Sequence, residues 1–349
     1  MAPFGDVLQG GPRASAMPRG PVSLATARRA LRADKGVVER VIARRECDLV
    51  LTSSAHLPAA TLAAREAGVA IAVYAGEPRS TGLRARLAAR ALARAVGRRA
   101  DVVMVPSQRS AEWQAELGIA ARVITPVIEL ADYGPDLADR ARSLRDELGL
   151  GGEQRVIASL GSLNHARGQD VLIDAVSRGV GGGSDWALLI GGESLGYKAD
   201  RRFEAKLRST VRSRGLEDRI SFCGAVSDPA AFLAAADVVV NPARVEESFG
   251  RVACEALLAG TPVVSSAPGA GQGFLAADRD LLVSPREDPP ALLAAIVRLL
   301  DQPDVGRTMV ASASAEVRRR CAPTAVQPEF DSAIAQALES AGARRGDGA

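Results

Sequence analysis

Two glutamates stand eight residues apart in "EESFGRVACEALLAGTPVVSS" (246–266), Glu247 in a loop and Glu255 inside an apolar segment of helical period. The helix is expected to start near Gly250, with the amides of Gly250, Arg251 and Val252 at its positive end, ready for phosphate oxygens. Gly250 has no side chain to keep a ligand away from the backbone. Glu255 then falls roughly 7–8 Å further along the axis, so one ligand can touch both carboxylates and the helix end. The paired oxygens of a carboxylate suit vicinal hydroxyls such as those of a ribose or a hexose. Spacing alone serves a blander reading equally well, in which the helix dipole favours one glutamate and a solvated face carries the other.

The elements that must position these residues alternate along the chain. "RVIASLG", "WALLIGG", "RISFCG", "DVVVNPA", "TPVVSS" and "DLLVSP" are short apolar runs from residue 155 onwards, separated by segments of helical period. Such alternation predicts a parallel sheet covered on both faces. "CDLVLTSS", "VAIAVYAG", "DVVMVPS" and "RVITPVI" repeat the pattern more weakly in the first half. The fold class expected is α/β, with two tandem Rossmann-like domains facing a cleft and the first abbreviated. Residues 1–40 supply only short apolar runs broken by Gly or Pro. Residues 1–145 are assigned to an acceptor domain and 146–325 to a donor domain, with the polar stretch 130–154 as the boundary. Residues 326–349 are expected to be a helix and tail packing back towards the first domain.

Composition removes several functions. The 349 residues are 47% hydrophobic and 24% charged, with a formal charge of +3, a globular balance that calls for no polyanionic partner. Aromatic residues make up 3%, too few to stack bases along a single strand, so nucleic acid is not an expected partner. Only three of the 44 basic residues are lysine, so Arg is expected where other chains use Lys. Cys47, Cys223, Cys254 and Cys321 lie far apart, which fits neither a zinc site nor a disulfide framework. No metal ligand set is expected. No apolar run is long enough to span a bilayer, and a cytoplasmic protein is expected. Residues 79–99 carry seven arginines and no acid. Arg86, Arg90, Arg94 and Arg98 recur as one stripe, expected to lie opposite Leu83, Leu87 and Ala91. That helix is either a solvated face or a peripheral contact with the inner membrane face.

The pattern E-x-F-G-x-x-x-x-E-A-x-x-x-G-x-P-V-V, carried here by Glu247, Phe249, Gly250, Glu255, Ala256, Gly260, Pro262, Val263 and Val264, resembles the signature of retaining glycosyltransferases of family 4, which have the GT-B fold. "SLGSLNHARGQDVLIDAV" (159–176) is similar to that family's phosphate-binding loop, G-R-L…K-G-x-D-x-L-I-x-A. The resemblance covers residues 100–300 and fades over 1–45. It implies transfer of a sugar from a nucleotide-sugar donor, as substrate and not cofactor, to an unidentified acceptor with retention at the anomeric carbon. Glu255 would hold the ribose hydroxyls and Glu247 those of the donor sugar. Gly161, Ser162 and the amides after Phe249, from Gly250 through Arg251 to Val252, would meet sugar and diphosphate.

Two departures stand out. Ser162 replaces the family's Arg, and Arg167 replaces its Lys, so Arg167 is the cation left for the leaving diphosphate. The family's N-domain His has no counterpart at Ala75-Gly76-Glu77, which leaves Glu77 and His56 as acceptor-side candidates. Two other readings stay open: an inactive homologue acting as a binding or partner subunit, and a nucleotide-sugar epimerase. A nicotinamide dehydrogenase is weakest, since no strand runs into G-x-G-x-x-G.

Overall fold

A computed structural model describes residues 24–346 apart from 56, 77–82, 153, 182–184 and 267–273. The chain divides into two compact units, one of residues 1–124 with 328–349 and the other of residues 125–327.

In the first unit, helices Leu24–Arg44 (α1), Pro58–Glu66 (α2), Leu83–Gly97 (α3) and Gln108–Ala115 (α4) alternate with strands Leu49–Thr52 (β1), Ala70–Tyr74 (β2), Val102–Val105 (β3) and Arg122–Val123 (β4). The strands form a parallel sheet in the order β1-β2-β3-β4. Ile71, Val73, Val103 and Val105 pack from it against Ala64, Val96 and Ile119. The last helix, Pro323–Gly346 (α12), carries Pro328 in its interior, and Ala333, Ala337 and Ala341 are buried along one stripe of it.

Arg344 of α12 binds both oxygens of Asp101, with Nη2 2.8 Å from Oδ2, and the Ile71 amide donates to the same carboxylate at 2.9 Å. The Asp101 side chain is 3% exposed, so losing Arg344 leaves a buried charge. Arg344→Met is expected to destabilise the first unit by about 2 kcal/mol, less than a fully buried broken pair because Arg65 stays nearby. Chemical denaturation read on that unit checks this, and an unchanged midpoint would remove the pair from the account.

α3 corrects the face assigned to it. Leu87 is 59% exposed, while Ala93 and Val96 are buried. Arg90 approaches Glu116 at 3.7 Å, and Arg94 donates to the Leu117 carbonyl at 3.3 Å. Two arginines of the stripe thus face their own unit. No helix among the described residues is long and apolar enough to cross a membrane.

The second unit holds strands Arg155–Leu160 (β5), Trp186–Gly191 (β6), Ile220–Gly224 (β7), Val238–Asn241 (β8), Val263–Ser265 (β9) and Leu282–Val283 (β10). These are the six apolar runs, all parallel, in the order β10-β9-β8-β5-β6-β7. Helices Leu137–Glu147 (α5), Gln169–Gly181 (α6), Lys198–Ser213 (α7), Pro229–Ala234 (α8), Arg251–Leu258 (α9), Pro289–Asp301 (α10) and Pro303–Cys321 (α11) accompany them. Alternate residues of each strand enter opposite cores: Val156, Ala158 and Val239 on one face, Ile157, Val238 and Val240 on the other. Asp228-Pro229 and Asp288-Pro289 start α8 and α10, each Asp accepting the amide three residues on, at 3.0 Å.

The division between the units falls at 124/125, not at 145/146. Residues 130–147 are polar in sequence, yet Tyr133 and Leu137 lie in the second core, and Arg145 of α5 donates to the Ala235 carbonyl at 2.9 Å. A helix with one narrow apolar edge reads as a linker when its partner lies some 90 residues away.

Candidate functional site

The chain enters the second sheet at β5 and builds outwards through β6 and β7. It then returns to lay β8 against the other side of β5. The strand order thus reverses between β5 and β8, and loops leaving the carboxyl ends of strands at such a point form a crevice. The loop after β5 carries Gly161, Ser162 and Arg167, and the loop after β8 carries Glu247, Phe249 and Gly250.

The first loop is held by its own polar groups. Leu163 is buried and its amide donates to the Glu193 carbonyl at 2.9 Å. Asn164 accepts from the Ala166 amide at 3.0 Å, capping the 3-10 turn His165–Arg167. Its Nδ2 donates to Ser162 Oγ at 2.9 Å, and Gln169 Nε2 donates to the Ser162 carbonyl at 3.0 Å. Gly168 follows with φ 68°, and a Cβ on it would lie 2.1 Å from the Pro242 carbonyl oxygen. A glycine there lets the two loops touch.

Arg167 crosses to the second loop and donates to Glu247 Oε1, while Asn241 Nδ2, at the end of β8, donates to Oε2 at 2.8 Å. Gly250, at φ 85°, caps α9, and the Ala253 amide returns to its carbonyl at 3.1 Å. Glu255 is 8% exposed. Arg251, one turn earlier, donates from Nε to its Oε1 at 2.6 Å. That bond, outweighing burial, raises the Arg251 guanidinium further above its ordinary value. The buried glutamate is therefore paired from within its own helix.

Of the residues singled out from sequence, Arg167 and Glu247 meet directly, and Gly161, Ser162, Gly250, Arg251, Val252 and Glu255 lie on the two loops and on α9. Phe249 differs: its ring is buried in the core, 6.1 Å from that of Phe274, so only its backbone is available to a ligand. His165 is exposed and sets its ring edge-on to Phe203 at 5.9 Å. His56 and Glu77 lie outside the described residues. Sequence reasoning missed Asn241, whose signal was an amide ending an otherwise apolar strand. It also missed the Arg251–Glu255 pair, for which the i, i+4 spacing of opposite charges was available.

Two glycine-bearing loops at a sheet reversal, a helix amino end and two arginine-paired carboxylates define a site for a ligand with anionic and hydroxyl groups. Residues 154–302 match the family model described as glycosyl transferases group 1, so this stretch is a domain of that family. The chain is 28% identical over 245 residues to the lipopolysaccharide core biosynthesis mannosyltransferase LpsB of Rhizobium meliloti, covering 70% of this chain and 66% of that protein. It is 30% identical over 216 residues to the 2-deoxystreptamine glucosyltransferase of Streptomyces kanamyceticus, covering 60% of this chain and 53% of that protein. The chain thus spans between half and two thirds of these relatives. Anabaena HepE, solved in complex with UDP-glucose, superposes with a TM-score of 0.75 at 22% identity, over 86% of this chain and 82% of that one. This likeness gives the chain the GT-B fold, in agreement with the two parallel sheets.

Proposed function

We propose that the chain is a retaining glycosyltransferase that moves a sugar from a nucleotide-sugar donor to an acceptor hydroxyl without a metal ion. The observation that carries this is the meeting of Arg167 and Glu247 at the sheet reversal, beside the α9 amino end and Glu255. The nucleotide's ribose would bind Glu255, which keeps its bond to Arg251, and the diphosphate would lie against Arg167 and the α9 amides. Glu247, held by Asn241, would take hydroxyls of the donor sugar. As the bond from the anomeric carbon to the diphosphate breaks, Arg167 stabilises the charge left on the phosphate oxygen. The acceptor hydroxyl adds to the same face and gives its proton to that phosphate. Charge on the leaving group is met by the chain itself, so turnover is expected to persist in the presence of a chelator.

The relatives named above are transferases, which favours transfer over epimerisation or an inactive binding role. Thermal unfolding against UDP, GDP and ADP tests the donor site, because a ligand bound only by the folded state raises the midpoint. One of the three is expected to stabilise the wild type, and no shift with any would count against the reading. Glu255→Gln should weaken that nucleotide about tenfold, on the order of one charge-assisted hydrogen bond. Equal affinity in titration calorimetry would take the ribose away from Glu255.

A further inference from the structure

Arg244 lies three residues before Glu247, on the same loop, and none of the roles above involves it. Its side chain is 13% exposed, and every nitrogen of its guanidinium is engaged. Nη1 and Nη2 bind Asp170 Oδ1 and Oδ2 at 2.8 and 3.0 Å. Nη1 also donates to the His165 carbonyl at 2.9 Å, and Nε donates to Glu287 Oε1 at 2.8 Å. The Arg244 backbone amide adds a bond to the Ala166 carbonyl at 2.8 Å. Three segments are thus joined: the loop of Arg167, the first turn of α6, and the turn after β10, where Glu287 adopts a left-handed φ of 56°.

We infer that Arg244 is a positioning residue, whose bidentate bond to Asp170 and bond to the His165 carbonyl set where Arg167 stands relative to Glu247. This rests on the reading of Arg167 and Glu247 given above. His165, Ala166 and Asp170 flank Arg167 on both sides, and Arg244 is joined to Glu247 by two intervening residues. A single side chain therefore fixes both loops from behind, leaving Arg167 and Glu247 to face the ligand. Only a planar fork makes two parallel bonds to a carboxylate and still reaches a carbonyl and a second acid. Burial opposes ionisation of Asp170, and its bonds to Arg244 outweigh that, holding the carboxyl below its ordinary range. The clamp is therefore charged throughout neutral pH.

The test uses the full chain as wild type, Arg244→Met and Arg244→Lys. Hydrogen exchange in the absence of ligand should rise about tenfold over residues 161–168 and 242–250 in both variants, with β5 and β6 unchanged. Turnover of UDP-, GDP- and ADP-linked hexoses should fall about 100-fold, the scale of a displacement near 1 Å between reacting groups. Affinity for UMP, GMP or AMP, which lack the diphosphate, should stay within about twofold because α9 is untouched. A purely structural role predicts a different result, loss of monophosphate affinity in step with turnover and exchange spread across the sheet, and that outcome overturns the inference. So does unchanged exchange in the two loops, or a lysine variant indistinguishable from wild type. If the wild type itself turns over no donor, the parent reading fails, and the exchange pattern alone decides for or against the clamp.

Discussion

Arg167→Ala is expected to slow turnover of the nucleotide-sugar donor by about 10²–10³-fold, on the order of 2.7–4 kcal/mol, the loss seen when one preorganised donor to a developing anion is removed. The size follows from the lack of a substitute among the described residues of the two loops and the first turn of α9. Ser162 carries no charge, and its Oγ already accepts from Asn164. Arg251 is engaged with Glu255, and Arg244 with Asp170 and Glu287. The alanine variant also leaves Glu247 held by Asn241 at 2.8 Å without the bond from Arg167. Nucleoside monophosphate affinity is expected to survive, since the ribose contact is made on α9. Steady-state kinetics with calorimetry check both halves, and unchanged turnover would mean that another residue neutralises the diphosphate.

Gly168→Ala is expected to cost about as much activity by a different route. At φ 68° the residue occupies a conformation that costs an L side chain roughly 1–2 kcal/mol. Its Cβ would also stand 2.1 Å from the Pro242 carbonyl oxygen, a backbone atom that cannot rotate away. The two loops must separate, and a shift near 1 Å lowers turnover about 100-fold. Gly149→Ala supplies the control, because its φ is 66° and nothing lies within 4 Å of the added Cβ. The control should show the strain cost alone, with turnover within about twofold of wild type. Equal losses in both variants would show that strain, not the contact of the loops, explains the effect.

The second sheet was legible because each strand is an apolar run with residues entering both cores, and each run ends in Gly, Pro, Asn or Ser where the loop begins. Glu247 and Arg167 were legible through two motifs, although their contact spans 80 residues of chain. What sequence did not disclose is the polar framework behind them. Arg244 and Asp170 are 74 residues apart, and in a chain where arginine is the common cation neither residue type marks a site. Helix α5 went unread because its apolar edge is narrow and its partner α8 is distant. On α3 the described members of the apolar stripe chosen from spacing, Leu87 and Ala91, are exposed. Leu87 and Ala91 lie on the regular four-residue repeat, whereas the buried face runs through Ala93 and Val96, with Leu92 packed against the same core.

The central claim is that Arg167, Glu247 and α9 support transfer from a nucleotide sugar with retention. Time-resolved proton NMR of the wild type with α-linked UDP-, GDP- and ADP-hexoses, with water as the acceptor, reads this most directly, following nucleotide release and the anomeric signal of the free sugar first formed. The account predicts that one donor yields nucleoside diphosphate and an α-configured product before mutarotation. Arg167→Ala should give the same configuration about 10²–10³-fold more slowly. A β-configured first product, or no nucleoside diphosphate from any donor, would contradict it.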